Sequence, residues 1–558
     1  MFPIKASQFN QLFTTDQIFI YLGISLVVSL LLFYSSMKFL LVLQQCGYRG
    51  SRYFKWLSNK NTPYLSRLML LCLLGFLFFL VLNTCFAPVV GQTIASYVGF
   101  VSFVLFTALY IKSESSVNAK VPLKKTGRII RLCITYVIVL MAFSFGVITL
   151  LNYLAFEIGD EMTALLRFSL VCVLPILTPY LLFVAYIINE PIEEIIRIYY
   201  LRVANNKLNN TDVIRIGITG SYAKTTLKEM LKTILSQKYR VLATPRSYNT
   251  PLGIALSVKK LDSTHDVFIA EMGARSKGDI AALAKMVKPH YGVLTGVNNQ
   301  HLETFRDIEV TKNTKYELFE NLAEGGVAFF SSDNDISVEL SERFKGEKYM
   351  AGLNGLDNLV YATDIKTTPR GTVFTLNVKG EKPVTCSTVL LGRHSVKNIC
   401  IASALAYKVG LSVEEIAVGI GRIQSIGHRL ELLPNNKNIV IIDDSYNSNV
   451  DGIVAAMEVL QTFEGRKIVL TPGLVELGKM ENLANFEMGK TLAKYADIVI
   501  VIGKQNAEML VSGLIDGGMD RENIKFAKSL NKGNALLNEL VKEGDVVLFE
   551  NDLPDNYN

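Results

Sequence analysis

Five long apolar runs before residue 190 constrain the fold of this chain more than any other feature. They cover residues 18–43, 68–86, 94–111, 132–156 and 168–188. A helix needs about 20 residues to cross the hydrocarbon core of a bilayer, which is about 30 Å thick. The first run is too long for a signal peptide, and no small-residue cleavage site follows it. The sequence therefore predicts a domain of five membrane-spanning helices over residues 1–189.

Loop charges predict the orientation of these helices. The loops after the first and third runs are basic, whereas the stretches CFAPVVGQ and EIGDEMT between the other runs contain no Lys or Arg; the basic residues are Arg49, Arg52, Lys55, Lys60, Arg67, Lys112, Lys120, Lys124, Lys125, Arg128 and Arg131. Basic loops stay in the cytoplasm, so we expect an integral plasma-membrane protein with its N-terminus outside and everything after residue 190 in the cytoplasm. The net charge of +7 averages these unlike halves and does not indicate a nucleic-acid partner.

Residues 190–212 are predicted to connect this domain to the rest of the chain. Ile192, Ile195, Tyr199 and Val203 recur at helical spacing with charged residues between them. This pattern is typical of an amphipathic helix that lies on the membrane surface or packs against protein. The polar stretch NNKLNNTD then reads as a linker.

After residue 212, short β-branched runs alternate with helical stretches, as in VIRIGI, DVFIAEMG, NIVIIDD and DIVIVIG. Such alternation predicts α/β domains with parallel sheets covered by helices. We expect a central domain over 213–425 and a C-terminal domain over 426–558. Open parallel sheets bind ligands at the carboxyl ends of their strands, and the most distinctive motifs of the chain follow predicted strands.

The first of these motifs, GITGSYAKTT, joins a predicted strand to a helix and contains Gly220, Ser221, Ala223, Lys224, Thr225 and Thr226. A tight loop that opens a helix directs backbone N–H groups at an anion. Lys224 can reach the β- and γ-phosphates of a nucleotide, and the Thr225 hydroxyl can bind Mg²⁺. Ala223 stands where the strict phosphate-loop pattern has glycine.

This motif and eight others resemble those of the Mur ligases, the ATP-dependent amide-forming enzymes of cell-wall precursor synthesis. The resemblance covers about residues 213–550, and the further motifs are YNTPLG, EMGA, NNQHLETF, TKYEL, GRHSVKN, HRLE, DDSYNSNV and VELG. The last two are most similar to the branch that adds the terminal D-Ala-D-Ala dipeptide. The resemblance implies a central P-loop ATPase domain followed by a Rossmann-like domain.

The resemblance also implies a role for single residues. ATP would be held by the phosphate loop, with Lys224, Thr225 and a first Mg²⁺ on the β- and γ-phosphates. Glu271 and His301 would bind a second Mg²⁺, and Lys315 would be carbamylated by CO₂ so that it can bridge to the metal. Without the resemblance, Lys315 reads as an exposed helical lysine paired with Glu317 or Glu320.

Residues further along the chain would complete the nucleotide site. By resemblance, Asn334 and Asn398 contact the adenine, and Arg429 and Asp444 reach the phosphate and ribose, with Tyr446 and Asn447 beside them. The predicted catalytic residues are Lys224, His301, Lys315, Arg429 and Asp444. The alternative for the hinge residues is that they form caps and turns, as Asp, Asn and Ser do elsewhere.

The chain departs from the family pattern because the N-terminal domain that grips the UDP-sugar is replaced by the apolar runs. We therefore predict a membrane-anchored ligase that joins a carboxylate to an amino acid, peptide or amine through an acyl phosphate. The acceptor would be a membrane-associated, lipid-linked precursor of the cell envelope. A poly-γ-glutamate-type synthase, an ATP-driven transporter and an inactive membrane scaffold remain alternatives. An ion transporter is disfavoured, because the basic residues near the runs, Lys38 and Arg167, lie close to their ends.

Overall fold

In the computed structural model, the chain divides into two compact units, Met1–Ile196 and Arg197–Leu553. The structure describes residues 14–58, 64–90, 92–115, 122–158, 160–245, 248–274, 276–298, 307–355, 357–434, 438–446, 450–475, 477, 480–503 and 506–551.

The first unit is helical. Its helices are α1 Thr15–Ser35, α2 Met37–Gln45, α3 Gly50–Leu57, α4 Tyr64–Val90, α5 Gln92–Ser115, α6 Gly127–Ile158 and α7, which runs over Asp160–Asn209 and so continues into the second unit. Three stretches of the described residues are long and apolar enough to cross a membrane: Thr15–Ser35, Gly127–Tyr153 and Leu174–Asn209. A helical N-terminal region is thus confirmed, and the arrangement of five spans stays a prediction.

Three prolines lie inside α7, and neighbouring polar side chains accommodate the first two, Pro175 and Pro179. Pro179 has no N–H group, so the carbonyl of Pro175 loses its usual helical donor. The Thr178 hydroxyl donates to that carbonyl at 2.7 Å. Tyr136 of α6 donates to the carbonyl of Thr178 at 3.1 Å, and Tyr53 of α3 donates to that of Pro179 at 3.2 Å. These bonds tie α3 and α6 to the proline-containing turn of α7.

The segment predicted as an amphipathic helix and linker is helical as far as Asn209, as the last part of α7. Ile195 and Tyr199 are exposed, whereas Ala204 and Leu208 are buried. The two buried side chains pack with Val213 and Phe268 in one core cluster of the second unit. The chain therefore enters the second unit as a helix anchored in its core.

The second unit contains two sheets. The first has nine strands in the order β2-β3-β1-β4-β5-β6-β7-β8-β9, and the second has six in the order β10-β11-β15-β12-β13-β14. Pairing is parallel except at β7–β8, β8–β9 and β10–β11. The strands are β1 Ile214–Thr219, β2 Val241–Ala243, β3 Val267–Glu271, β4 Tyr291–Leu294, β5 Val327–Ser331, β6 Lys348–Gly352, β7 Val360–Thr368, β8 Gly371–Val378, β9 Val384–Thr388, β10 Glu431–Leu433, β11 Val440–Asp444, β12 Lys467–Thr471, β13 Ile498–Ile502, β14 Ile524–Ala527 and β15 Val546–Glu550.

Helices cover these sheets, as the alternating pattern predicts. They are α8 Lys224–Leu235, α9 Pro251–Val258, α10 Asp279–Val287, α11 Ile308–Glu320, α12 Asp335–Arg343, α13 Arg393–Val409, α14 Val413–Gly421, α15 Val450–Leu460, α16 Glu481–Tyr495, α17 Ala507–Asp516 and α18 Leu530–Leu540. The predicted α/β class of this part of the chain is confirmed. Because β1 lies between β3 and β4, the loop after β1 opens at a point where ligands bind such sheets.

Candidate active site

The phosphate loop lies between β1 and α8, as predicted. Gly220 has φ +152°, and a Cβ there would run into the Thr295 side chain and lie 3.0 Å from the carbonyl oxygen of Gly296. Only glycine fits this close approach. Ser221 is held by a backbone bond from its N–H to the same Gly296 carbonyl at 2.8 Å.

Ala223 has φ +57° and ψ 3°, a left-handed conformation that glycine adopts without strain. An L-residue pays about 1–2 kcal/mol in this conformation. The alanine is therefore a strained residue immediately before α8, in a conformation that glycine would adopt more easily.

Lys224 begins α8 and is folded back onto the loop. Its Nζ donates to the carbonyls of Gly220 at 2.7 Å and Ser221 at 3.1 Å. Burial lowers its pKa to about 8, with Glu271 opposing this shift and Arg429 adding to it. A nucleotide phosphate would give this lysine the counter-charge that its burial demands.

Glu271 ends β3 and is almost fully buried. Its Oε2 accepts hydrogen bonds from Thr225 Oγ1 at 2.9 Å and Lys228 Nζ at 3.1 Å, and its Oε1 accepts from Asn249 Nδ2 at 3.2 Å. Lys228 is 0% exposed. The predicted metal ligands Thr225 and Glu271 are therefore in contact.

Sequence reasoning missed Lys228. A signal was present, because Lys228 lies between Leu227 and Leu231 on the buried face of α8, and a lysine there requires a buried acid. Asn249, from the YNTPLG motif, is the second contact to Glu271 that the sequence did not assign.

The distance between Thr225 and Glu271 bears on how a metal would fit. Neighbouring oxygens of an octahedral Mg²⁺ with bonds of about 2.0–2.1 Å lie about 3 Å apart, close to the 2.9 Å between these side chains. Both side chains could therefore contact one ion. Within the described residues, no group of three or more His, Cys, Asp and Glu could hold a metal, and His301 lies outside those residues.

Lys315 lies on α11 and is 3% exposed. Burial lowers its pKa to about 7, and the charge of Lys224 adds to the effect. The expectation that Lys315 is exposed is wrong, although the charges of Asp279 and Glu317 do oppose the lowering of its pKa. Glu317 also accepts bonds from the backbone N–H groups of Gly278 at 2.7 Å and Ala281 at 3.0 Å, while Glu320 pairs with Arg343.

A cavity of about 470 Å³ joins the phosphate loop to the C-terminal domain. It brings together six of the predicted nucleotide-binding residues: Ala223, Thr226, Asn334, Asn398, Arg429 and Asp444. Glu271 and Lys315 do not line it. Glu271 instead contacts Thr225 of the phosphate loop, and the charge of Lys224 acts on Lys315.

Asn334 at this cavity is largely committed to structure. It caps α12, where its Oδ1 accepts from the N–H of Ser337 at 2.9 Å and from that of Val297 at 3.1 Å. Its Nδ2 donates to the Val297 carbonyl at 3.0 Å. One amide N–H is left for a base, so the capping alternative describes most of what this residue does.

Arg429 and Asp444 both line the cavity. The Arg429 guanidinium lies 4.4 Å from the centre of the Tyr446 ring, and burial lowers its pKa against the opposing charge of Asp444. Burial raises the pKa of Asp444 to about 6, whereas Arg429 lowers it. Asn447, predicted to lie beside them, is outside the described residues.

Comparisons with known proteins agree with this geometry. The Mur ligase middle domain matches residues 218–406, and the Mur ligase, glutamate ligase domain matches residues 428–550. The two matches cover more than half of the chain. The chain belongs to the Mur ligase family of ATP-dependent amide ligases.

Its relatives include UDP-N-acetylmuramoyl-tripeptide–D-alanyl-D-alanine ligases. The Escherichia coli protein is 31% identical over 52% of this Mur ligase and 65% of the relative, and the Bacillus subtilis protein is 29% identical over 60% and 72%. The chain thus spans about two thirds of the length of these relatives.

Solved structures give the same match. MurF from Acinetobacter baumannii has a TM-score of 0.59 at 25% identity, covering 65% of this chain and 78% of that one. MurF from Thermotoga maritima in complex with ADP has a TM-score of 0.57 at 25% identity, covering 64% and 80%.

Proposed function

We propose that this Mur ligase is a membrane-anchored, ATP-dependent carboxylate–amine ligase of cell-envelope synthesis with a cytoplasmic active site. One observation carries the proposal. Ala223 and Thr226 of the phosphate loop line a single cavity together with Arg429 and Asp444, and Thr225, which lies between the two loop residues in sequence, contacts Glu271. The three apolar helices and the basic loops support the membrane anchor and the cytoplasmic orientation.

The chemistry explains why these residue types are needed. A carboxylate oxygen of the acceptor attacks the γ-phosphorus of ATP, and the bond to ADP breaks. The amine then attacks the acyl carbon, orthophosphate leaves, and the nitrogen loses a proton. The first step brings anions together, so cations must offset their repulsion. Lys224 and Arg429 supply positive charge, and Thr225 and Glu271 would hold a Mg²⁺ ion that neutralises the phosphates.

We further propose that Lys315 is carbamylated and that, with His301, it holds a second Mg²⁺. A neutral amine adds CO₂, and the pKa of about 7 leaves much of Lys315 neutral near neutral pH. Its burial would protect the carbamate from water. Lys315→Ala should abolish ligation, and short-chain carboxylic acids should restore part of it. Full activity of Lys315→Ala without added acid would contradict the carbamate.

We propose a lipid-linked acceptor, because a helical unit precedes the two domains that match the relatives. The name of the relatives instead indicates a UDP-linked acceptor and D-alanyl-D-alanine. The test gives the purified full chain ATP and amines with each acceptor type, labelled with ¹⁸O in the carboxylate. We expect an amide on the lipid-linked acceptor and one ¹⁸O atom in the released phosphate.

The other outcomes separate the alternatives. Preferred turnover of the soluble acceptor would contradict the lipid-linked substrate and leave the ligase chemistry intact. A ladder of products would indicate a poly-γ-glutamate-type synthase. Phosphate release without an amide would indicate a transporter, and absence of ATP binding would indicate an inactive scaffold.

A further inference from the structure

Three side chains hold the Glu271 carboxylate and approach both of its oxygens. Oε2 accepts from Thr225 Oγ1 at 2.9 Å and from Lys228 Nζ at 3.1 Å, and Oε1 accepts from Asn249 Nδ2 at 3.2 Å. A carboxylate offers about four acceptor positions, two on each oxygen. Both positions of Oε2 and one of Oε1 are therefore in use.

Thr225 and Lys228 differ in what they can do when a metal ion approaches Glu271. The Thr225 hydroxyl is both a donor and an acceptor, so it can turn its proton away from Oε2 and offer its oxygen to the ion. The Lys228 ammonium has no lone pair, so it cannot bind a metal and can only keep its bond to Oε2. An ion held by Thr225 and Glu271 would therefore share this carboxylate with a cation.

Helix α8 fixes Lys228 in this position. Lys228 follows Thr225 by three residues, so both side chains lie on the same side of the helix. Its neighbours Leu227 and Leu231 are buried in a core cluster, and Lys228 itself is 0% exposed. The Glu229 carboxylate also comes within 3.5 Å of Lys228 Nζ, but that side chain is 38% exposed, so water screens its charge. The contact of Lys228 with Glu271 is the buried one.

The effect of this pair on the metal site explains it better than stability does. A buried ion pair contributes little net stability compared with apolar residues of similar volume, because both charges lose their water. Charges at short range interact strongly inside a protein, and Lys224 also interacts with Glu271 from the phosphate loop. Two lysines thus offset the negative charge of Glu271, and a divalent cation that arrives alone is attracted weakly.

We propose that Lys228 is a positioning residue that makes magnesium binding depend on the nucleotide. It orients Glu271 and offsets its charge, so the nucleotide-free protein takes up Mg²⁺ weakly. The phosphates of the nucleotide then add negative charge, in keeping with enzyme sites where Mg²⁺ is bound by one or two carboxylates together with substrate phosphates. The ion and the nucleotide therefore bind as a pair. This inference rests on the proposed assignment of Thr225 and Glu271 to a metal ion.

The first experiment uses the full parent chain in a non-ionic detergent and follows its unfolding by calorimetry. Mg²⁺ alone, ADP alone and ADP with Mg²⁺ are compared at constant ionic strength. We expect Mg²⁺ alone at about 10 mM to raise the unfolding temperature by less than about 1 °C, because a ligand far below its Kd stabilises little. ADP with Mg²⁺ should raise it more than ADP alone.

Two outcomes of this comparison are negative and can be told apart. A rise with Mg²⁺ alone as large as the rise with Mg²⁺ and ADP would overturn the dependence on nucleotide and leave the proposed ligase site intact. No rise with ADP in either form would contradict the proposed nucleotide site itself, and this inference with it.

The second experiment measures the metal affinity of the nucleotide-free protein directly. Mn²⁺ replaces Mg²⁺, and the electron paramagnetic resonance signal of the free ion gives the bound fraction without any turnover. The variant is Lys228→Gln, which removes the charge and keeps a hydrogen-bond donor. The matched control is Lys232→Gln, which removes the same charge from the exposed side of α8.

We expect Lys228→Gln to bind Mn²⁺ at least about tenfold more tightly than the parent protein, because a positive charge close to the ion has been removed. Lys232→Gln should stay within about threefold of the parent, since water screens an exposed charge. A damaged site would lose metal affinity, so a gain separates this role from a merely structural one. Unchanged or weaker binding by Lys228→Gln, or an equal gain in the control, would overturn the proposal. If Lys228→Gln does not fold, the calorimetric comparison on the parent protein decides.

Discussion

Ala223→Gly should stabilise this Mur ligase, which is unusual for a mutation to glycine. Ala223 is held at φ +57°, and relief of this strain gains about 1–2 kcal/mol. Glycine also makes the unfolded chain more flexible, which costs about 0.4–1 kcal/mol. The free energy of unfolding should therefore rise by about 0.5–1 kcal/mol, or about 1–4 °C in the unfolding temperature of a domain of this size.

The assay must report on the right part of the chain. The single tryptophan, Trp56, lies in the first unit, so its fluorescence would not follow the phosphate loop. Calorimetry of the full chain in detergent, on the transition that ADP shifts, does follow it. The control is Ala282→Gly, an exposed alanine inside α10, where glycine should destabilise by about 1 kcal/mol.

Nucleotide affinity decides between two explanations of Ala223. If the nucleotide-free loop already has the conformation that a glycine would give it, the backbone strain at Ala223 is the same with and without nucleotide. Ala223→Gly should then change the ADP affinity by less than about threefold, which corresponds to less than about 1 kcal/mol of binding free energy. A variant that binds ADP much more tightly without becoming more stable would show that the methyl group misdirects the loop. That result would refute the reasoning.

Two further predictions concern the buried lysines. Lys228→Met should lower the free energy of unfolding, measured in urea, by about 3–5 kcal/mol, because it leaves Glu271 buried without its ion-pair partner. The control is Lys232→Met, on the exposed face of the same helix, which should change the free energy of unfolding by less than about 0.5 kcal/mol. The lowered pKa of Lys224, about 8, means that the nucleotide-free protein loses this positive charge as pH rises through 8. ATP affinity measured by calorimetry should therefore fall between pH 7 and pH 9, and the fall should vanish in Lys224→Arg, which stays charged; a constant affinity in the parent protein would contradict the shift.

The phosphate loop and the Glu271 contact could be predicted because they follow from strand order. Lys224 and Glu271 lie far apart in sequence, but both come at the carboxyl ends of parallel strands that pair directly. Parallel pairing brings such ends to one edge of the sheet. The motifs therefore carried information about contacts that are distant along the chain.

The burial of Lys315 could not be predicted in the same way. Residues Thr314–Phe319 of α11 are all buried, so this part of the helix has no solvent-exposed face. Helical periodicity identifies a buried side only when the other side meets water. Without this periodic pattern, a lysine near two glutamates is interpreted as part of a surface ion pair. The bonds that Glu317 accepts from the first turn of α10 depend on packing that the sequence does not show.

The placement of Arg429 has a similar origin. Its neighbours His428 and Leu430 have φ of +61° and +45°, and such conformations persist only where surrounding structure enforces them, at about 1–3 kcal/mol each. Here the Glu431 carboxylate accepts from the N–H of His428 at 3.1 Å, and Asp444 accepts from that of Leu430 at 3.3 Å. Asp444 thus holds the strained backbone and also faces the arginine that this backbone directs into the cavity. Strain of this kind leaves no composition or periodicity signal, which explains why the HRLE motif predicted an arginine at the site but not how its backbone is held.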